Sequence, residues 1–320
     1  MTSLASSLRR PRLLIVGCGD IGLRVLRLLR RRWRVIVLSS TPARVPELRA
    51  AGALPVLGDL DDAATLGRLG ALAHCVLHLA PPPGEGPEDA RTRRLVGALA
   101  RGGSVRRLVY VGTSGVYGDC GGARVLETRA LAPTSARALR RADAEAVLRG
   151  YGLRSGVCVS ILRVPGIYAL DRVGGNPRER LLRGTPVLCR EDDVYTSHIH
   201  ADDLARACVA ALVRGRPQRV VNACDDTELR MGDYFDLAAD LLACARPPRI
   251  TRQEAQARLP ALTLSFMSES RRLVNARLRQ ELRLRLRYPT VAEGLQPRDR
   301  DCEGDRDGAP VARPLSDASA

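Results

Sequence analysis

The chain has 320 residues, 45% hydrophobic and 3% aromatic, with a formal net charge of +16. That length supports one large α/β core or two smaller ones, and no apolar stretch approaches the ~20 residues of a membrane span. All 51 basic residues are arginine, spread along an alanine- and glycine-rich chain with few aromatics for base stacking, so the charge reads as compositional bias and nucleic-acid binding is not expected.

The N-terminal MTSLASSLRRPR lacks the apolar stretch of a secretory signal, although its serines and arginines leave a transit peptide as an alternative. Leu13, Leu14, Ile15 and Val16 then form an apolar run suited to a strand buried on both faces. Gly17, Gly19 and Gly22 follow in the spacing G-x-G-x-x-G, and Leu23, Val25, Leu26, Leu28 and Leu29 give the next helix its apolar face. The first glycine permits a tight turn, the second a close approach of backbone to a pyrophosphate, and the third close packing of helix on strand. Asp20 and Ile21 open that helix, whose N-terminal N–H groups and dipole suit phosphates. A second strand, Val35–Leu38, completes the βαβ order within about thirty residues. A bound dinucleotide is therefore expected at Gly17, Gly19, Asp20, Ile21 and Gly22.

An acidic residue normally ends the second strand of an NAD site. Here Ser39, Ser40 and Thr41 stand there, with Arg44 three residues on. Hydroxyls and a guanidinium suit a 2′-phosphate, so NADP is expected over NAD; the alternative for Arg44 is a solvated loop charge. Further strands are expected at Leu54–Leu57, Cys75–Leu79, Arg107–Val111, Val157–Leu162 and Arg219–Ala223, with helices over Thr92–Arg101, Ser135–Arg149 and Asp202–Arg214. This alternation predicts a doubly wound parallel sheet of the Rossmann type. The Pro/Gly-rich loop Ala80–Glu88 follows a strand, at the edge where such folds bind ligands. Nine cysteines in an odd, scattered set argue for reduced thiols and a cytoplasmic location. His198 and His200, two apart with no cysteine–histidine set nearby, make a poor zinc site; His200 before Asp202 and Asp203 reads as a helix start, with substrate contact as the alternative for the pair. No metal is expected. Residues 1–10 and 297–320 are expected to be disordered.

In order, GCGDIG (17–22), GDL (58–60), HLAPP (78–82), VYVGTSGVYGD (109–119), ILRVPGIYA (161–169) and HIHADDLARA (198–207) resemble an extended short-chain dehydrogenase/reductase of the NAD-dependent epimerase/dehydratase kind. The C-terminal SFMSESRRLVN and LRLRYPTVAEGL are similar to its atypical YeeZ-like members, which keep a cofactor site beside an eroded active site. The resemblance implies a Rossmann core over 11–168 and a substrate-binding region with returning core elements over 169–295. It places Asp59 at the adenine with Leu60 packed on it, Ala80 and Pro81 near the nicotinamide ribose, and Pro165 over the nicotinamide. Thr113, with Ser114 beside it, takes the position of the hydroxyl that bonds the reacting substrate oxygen. The alternatives are a turn-forming Asp59 and a strand-capping Thr113.

The same resemblance exposes a departure. The family uses Y-x-x-x-K, in which lysine helps tyrosine act as a proton shuttle. Aligned on Ala144–Glu145, those positions hold Arg137 and Arg141, and the chain has no lysine. Arginine does not deprotonate in proteins; Arg141 retains a fixed positive charge. Tyr117 and Tyr168 are the remaining tyrosine candidates, although Tyr117 belongs to the ordinary VYG turn. The expectation is an NAD(P)-dependent oxidoreductase or epimerase for a small polar substrate such as a nucleotide sugar. The alternative is a dinucleotide-binding protein without turnover, redox-responsive or structural.

Overall fold

The computed structural model describes residues 10–29 and 32–296. The expectation of disorder at 1–10 and 297–320 falls, apart from Arg10, outside them. Seven parallel strands form the central sheet: β1 (Arg12–Val16), β2 (Arg34–Ser39), β3 (Leu54–Leu57), β4 (Cys75–His78), β5 (Arg107–Val111), β6 (Cys158–Arg163) and a late strand, Arg219–Asn222. The order across the sheet is late strand, β6, β5, β4, β1, β2, β3. Chain order therefore reverses between β1 and β4, which pair directly with Val16 opposite His78. A doubly wound sheet opens a ligand crevice at that point, beyond the strands' carboxyl ends.

The apolar runs become core because both sheet faces are covered. Leu13, Ile15 and Val37 pack into one hydrophobic cluster, with Val25 and Leu26 of α1 (Asp20–Leu29); Leu14, Val76 and Leu108 pack into another, with Leu95 and Leu99 of α2 (Ala90–Gly102). Next in the chain, α3 spans Ala136–Ser155, six residues beyond the end expected from sequence, and stops at Gly156 in the left-handed conformation. Two short strands, β7 (Gly166–Tyr168) and β8 (His198–His200), pair in parallel outside the main sheet, with His198 opposite Gly166. Between them lies the short helix α4 (Pro177–Leu182). Helix α5 (Ala201–Arg214) is capped by His200, whose Nδ1 accepts from Asp202 N at 3.2 Å. The late strand, now β9, and α5 return the chain to the core, and α6 (Met231–Leu241) carries Tyr234 and Phe235 into a third cluster with Tyr168 and Val187.

One buried cation joins these parts. Arg24 of α1 is 5% exposed and binds Asp20 at 3.0 Å, Asp171 at 2.8 Å and Asp202 at the start of α5. Its burial is tolerable because three carboxylates surround it.

Candidate active site

At the end of β1, Gly17 adopts φ +86°, and a Cβ there would lie 2.4 Å from the backbone nitrogen of Ala80. Only glycine fits: the turn and the close approach of the two strand ends both exclude a side chain. Gly22 is similarly constrained, since its Cβ would meet Cys18 Sγ at 2.9 Å. Gly19 differs. A Cβ there would meet nothing within 4 Å, so protein packing does not demand a glycine. It borders open space beside the start of α1, whose first-turn N–H groups have no intrahelical acceptors. Such a helix start is the kind of backbone site that accepts an anion. Asp20 does not oppose it electrostatically, because its carboxylate turns back to Arg24 at 3.0 Å and Arg172 at 3.4 Å.

Arg44 lies across the same turn. It donates to the Cys18 carbonyl at 2.7 Å and forks onto Glu47 at 3.1 Å through two nitrogens. Ser39 Oγ is engaged locally with the backbone of Thr41 at 3.2 Å. Asp59 Oδ1 accepts from Asp61 N at 2.9 Å, the geometry of a turn-forming aspartate. Leu60 is buried and its carbonyl accepts from Arg94. Arg91 bridges Asp61, at 2.6 Å, to the Pro81 carbonyl, at 3.3 Å, and so stands at this edge of the crevice. No sequence signal distinguished it from the other arginines.

Beyond β5, Thr113 Oγ1 accepts from Gly115 N at 3.1 Å, and Ser114 N donates to the Val164 carbonyl at 2.9 Å. Thr113 thus caps a short turn while its hydroxyl proton stays available to a ligand. Both residues line a cavity of about 630 Å³ with Pro165, Gly166, Arg137, Arg141 and His198. Arg141 is partly committed, donating to the Val111 carbonyl at 2.8 Å and lying 3.4 Å from the Tyr110 hydroxyl. Arg137 stands exposed at the rim, its guanidinium 4.6 Å from the centre of the Phe266 ring. Neither arginine supplies a proton-transfer group at the tyrosine and lysine positions.

Two tyrosine candidates separate here. Tyr117 does not line the cavity; it is 1% exposed and its hydroxyl donates to Asn222 Oδ1 at 2.8 Å. It is a core residue, and the catalytic expectation for it is withdrawn on that geometry. Tyr168 lines the cavity, but its hydroxyl donates to the Thr290 carbonyl at 3.3 Å, and burial pushes its acidity far from neutral pH. The deep wall combines residues the sequence did not single out: Arg180, Tyr234 and Phe235, with His198 stacked on Tyr234 at 4.1 Å. Arg180 packs 4.4 Å from the centre of Phe235, and burial lowers its pKa to about 10. These side chains come from β8, α4 and α6, which no local motif links.

The sequence matches the NAD dependent epimerase/dehydratase family over residues 13–224. The chain belongs to that family. No curated protein matches it. A conserved protein of unknown function from Silicibacter pomeroyi is 30% identical, with TM-score 0.73 over 89% of this chain and 97% of that one. A nucleoside-diphosphate-sugar epimerase from Pseudomonas aeruginosa is 19% identical, with TM-score 0.73 over 89% and 95%. A UDP-glucose 4-epimerase from Thermotoga maritima is 20% identical, with TM-score 0.72 over 89% and 96%. The last two share the fold. Among the described residues, no helix is long and apolar enough to cross a membrane, and no cluster of metal-ligating side chains occurs.

Proposed function

We propose that this protein is an NAD(P)-dependent oxidoreductase or epimerase for a small polar substrate of the nucleotide-sugar class. The observation that carries the reading is that the Gly17–Gly22 turn, the β1/β4 reversal and the cavity lined by Thr113, Ser114 and Pro165 all follow strand ends at the carboxyl edge of one parallel sheet. Gly17, Gly19, Asp20, Ile21 and Gly22 would hold the pyrophosphate, with Asp59, Leu60, Ala80 and Pro81 along the crevice. A nicotinamide dinucleotide, when bound, supplies a two-electron hydride acceptor or donor. Thr113 and Ser114 orient the substrate oxygen, and Arg141 contributes positive potential where charge develops. The segment 169–295, apart from its returning core elements, forms the substrate-binding region. A cytoplasmic location agrees with the described cysteines all being free.

NADP is the preferred cofactor in this reading. Arg44 stands beside the turn with its fork on Glu47, and a 2′-phosphate would take that fork in place of the carboxylate. The replacement of the tyrosine and lysine positions by Arg137 and Arg141 favours a second reading, a dinucleotide-binding protein without turnover. Calorimetry with NADP and NAD, then a thermal-shift screen of nucleotide sugars and carbonyl compounds, decides between them. Dinucleotide binding with hydride transfer supports the enzyme. Binding without transfer across the screen supports the second reading, and no binding overturns both.

A further inference from the structure

If the protein transfers hydride as proposed above, a proton must also move, and the residues at the usual positions cannot move it. The remaining cavity-lining groups can be taken in turn. The Tyr168 hydroxyl is spent on the Thr290 carbonyl, and burial disfavours ionisation of Tyr168 and Tyr234. Glu269 is paired with Arg271 at 2.6 Å, and Glu179 accepts from Gly174 N. Tyr195 carries the guanidinium groups of Arg230 and Arg272 over its ring, 5.4 and 4.8 Å from the centre.

His198 differs from all of these. It is 8% exposed, and its Nδ1 is buried with no hydrogen-bond partner. A buried polar atom without a partner is costly, but Nδ1 is closed to the cavity; Nε2, which no protein hydrogen bond engages, is the nitrogen left for a ligand. The ring is held flat against Tyr234 and edge-on to Tyr168, with centroids 4.1 and 6.3 Å away. It borders the backbone beside Pro165: a Cβ on Gly166 would lie 3.1 Å from His198 Cδ2 and 3.7 Å from Nε2. The β7–β8 pairing fixes that juxtaposition through the opposition of Gly166 and His198.

We propose that His198 is the proton-transfer residue of this site, replacing the absent tyrosine. In the oxidative direction, an imidazole nitrogen takes the proton of the substrate hydroxyl as the carbon gives hydride, with its electron pair, to the oxidised dinucleotide. The alcohol becomes a carbonyl, and the imidazolium then releases its proton to water. The reverse direction returns both. Burial holds the pKa of His198 down at about 4, so the free protein presents a neutral imidazole at pH 7.

The test uses the full chain labelled with 15N in its four histidines, whose ring signals are assigned through His198→Gln. NADP should shift the His198 ring signals more than 2′-phospho-ADP-ribose, which lacks the nicotinamide. Hydride transfer is then measured with UDP-glucose, UDP-N-acetylglucosamine and dTDP-glucose. His198→Ala should lose 100-fold or more with dinucleotide affinity unchanged, and added imidazole should restore part of it. Equal NMR shifts with both ligands, wild-type transfer in His198→Ala, or a loss that follows Tyr195→Phe instead would overturn the assignment. So would the absence of transfer by the wild type, although bound dinucleotide in that case leaves the reading of the crevice standing. Failure of any dinucleotide to bind refutes that reading itself.

Discussion

The glycine turn and the cavity are built on different principles. At the turn, recognition rests on backbone: Gly17 makes room for Ala80, Gly19 faces open space, and α1 offers N–H groups. In the cavity, recognition rests on side chains brought by β8, α3, α4 and α6, several with hydrogen-bonding capacity unused. A backbone site tolerates drift elsewhere as long as its glycines remain. A side-chain site changes chemistry whenever one residue changes, as Arg137 and Arg141 illustrate.

The largest expected effect falls on a buried ion pair between β6 and α3. Arg163 of β6 and Glu145 of α3 form a buried two-point pair at 2.7 and 3.0 Å, their side chains 4% and 2% exposed. Glu145→Ala leaves the buried Arg163 without its carboxylate and should cost about 3–5 kcal/mol in chemical denaturation. An unchanged midpoint would show that the packing of α3 on β6 does not depend on this pair.

Acid should weaken the cavity side and the core behind the crevice together. Burial depresses the pKa of His198 to about 4 and of His78 to about 3. Near pH 7 both are neutral in either state. As pH falls below the unfolded value of 6.5, only the unfolded chain protonates them, so stability is lost progressively down to pH 4 and, for His78, to pH 3. Between pH 7 and 5 each should cost roughly 2 kcal/mol. His78→Gln should flatten the acid limb of the stability curve, and an unaltered slope would contradict the assignment.

The two glycines sharpen the contrast within the turn. Gly17→Ala should destabilise the fold by about 2–4 kcal/mol through backbone overlap and left-handed strain. Gly19→Val should leave the thermal midpoint nearly unchanged and lower dinucleotide affinity, because the new side chain occupies the space open to pyrophosphate. Calorimetry showing unchanged affinity in Gly19→Val would disprove the pyrophosphate position.

The smallest effect concerns one charge at the rim of the turn. Arg44→Ala should weaken NADP by about tenfold to a hundredfold, the value of a charge-assisted contact, with NAD little affected. Equal losses for both dinucleotides would assign Arg44 to holding the turn through Cys18 rather than to the phosphate.

Most of the fold was legible because strands and helices follow local periodicity. The strand expected at Leu54–Leu57 coincides with the observed one, and His200 caps α5 as its acidic successors implied. The glycine turn was legible because its requirements are backbone requirements within one short segment. The limits appear where identical residue types take different roles. Arginines at 44, 91, 137 and 180 look alike in sequence. In the structure they brace a turn, bridge a crevice, rest on Phe266 and pack against Phe235. Tyr117 and Tyr168 both stood as candidates, Tyr117 with a turn role as its alternative, until burial and hydrogen bonding gave one to the core and the other to the cavity wall. By itself, the sequence determined the parallel sheet and the glycine turn, since both arise from neighbours along the chain. Only the tertiary structure decided that His198, with Nδ1 unpaired, stands beside Gly166 and Tyr234, because that contact joins β7, β8 and α6 across segments that share no local pattern.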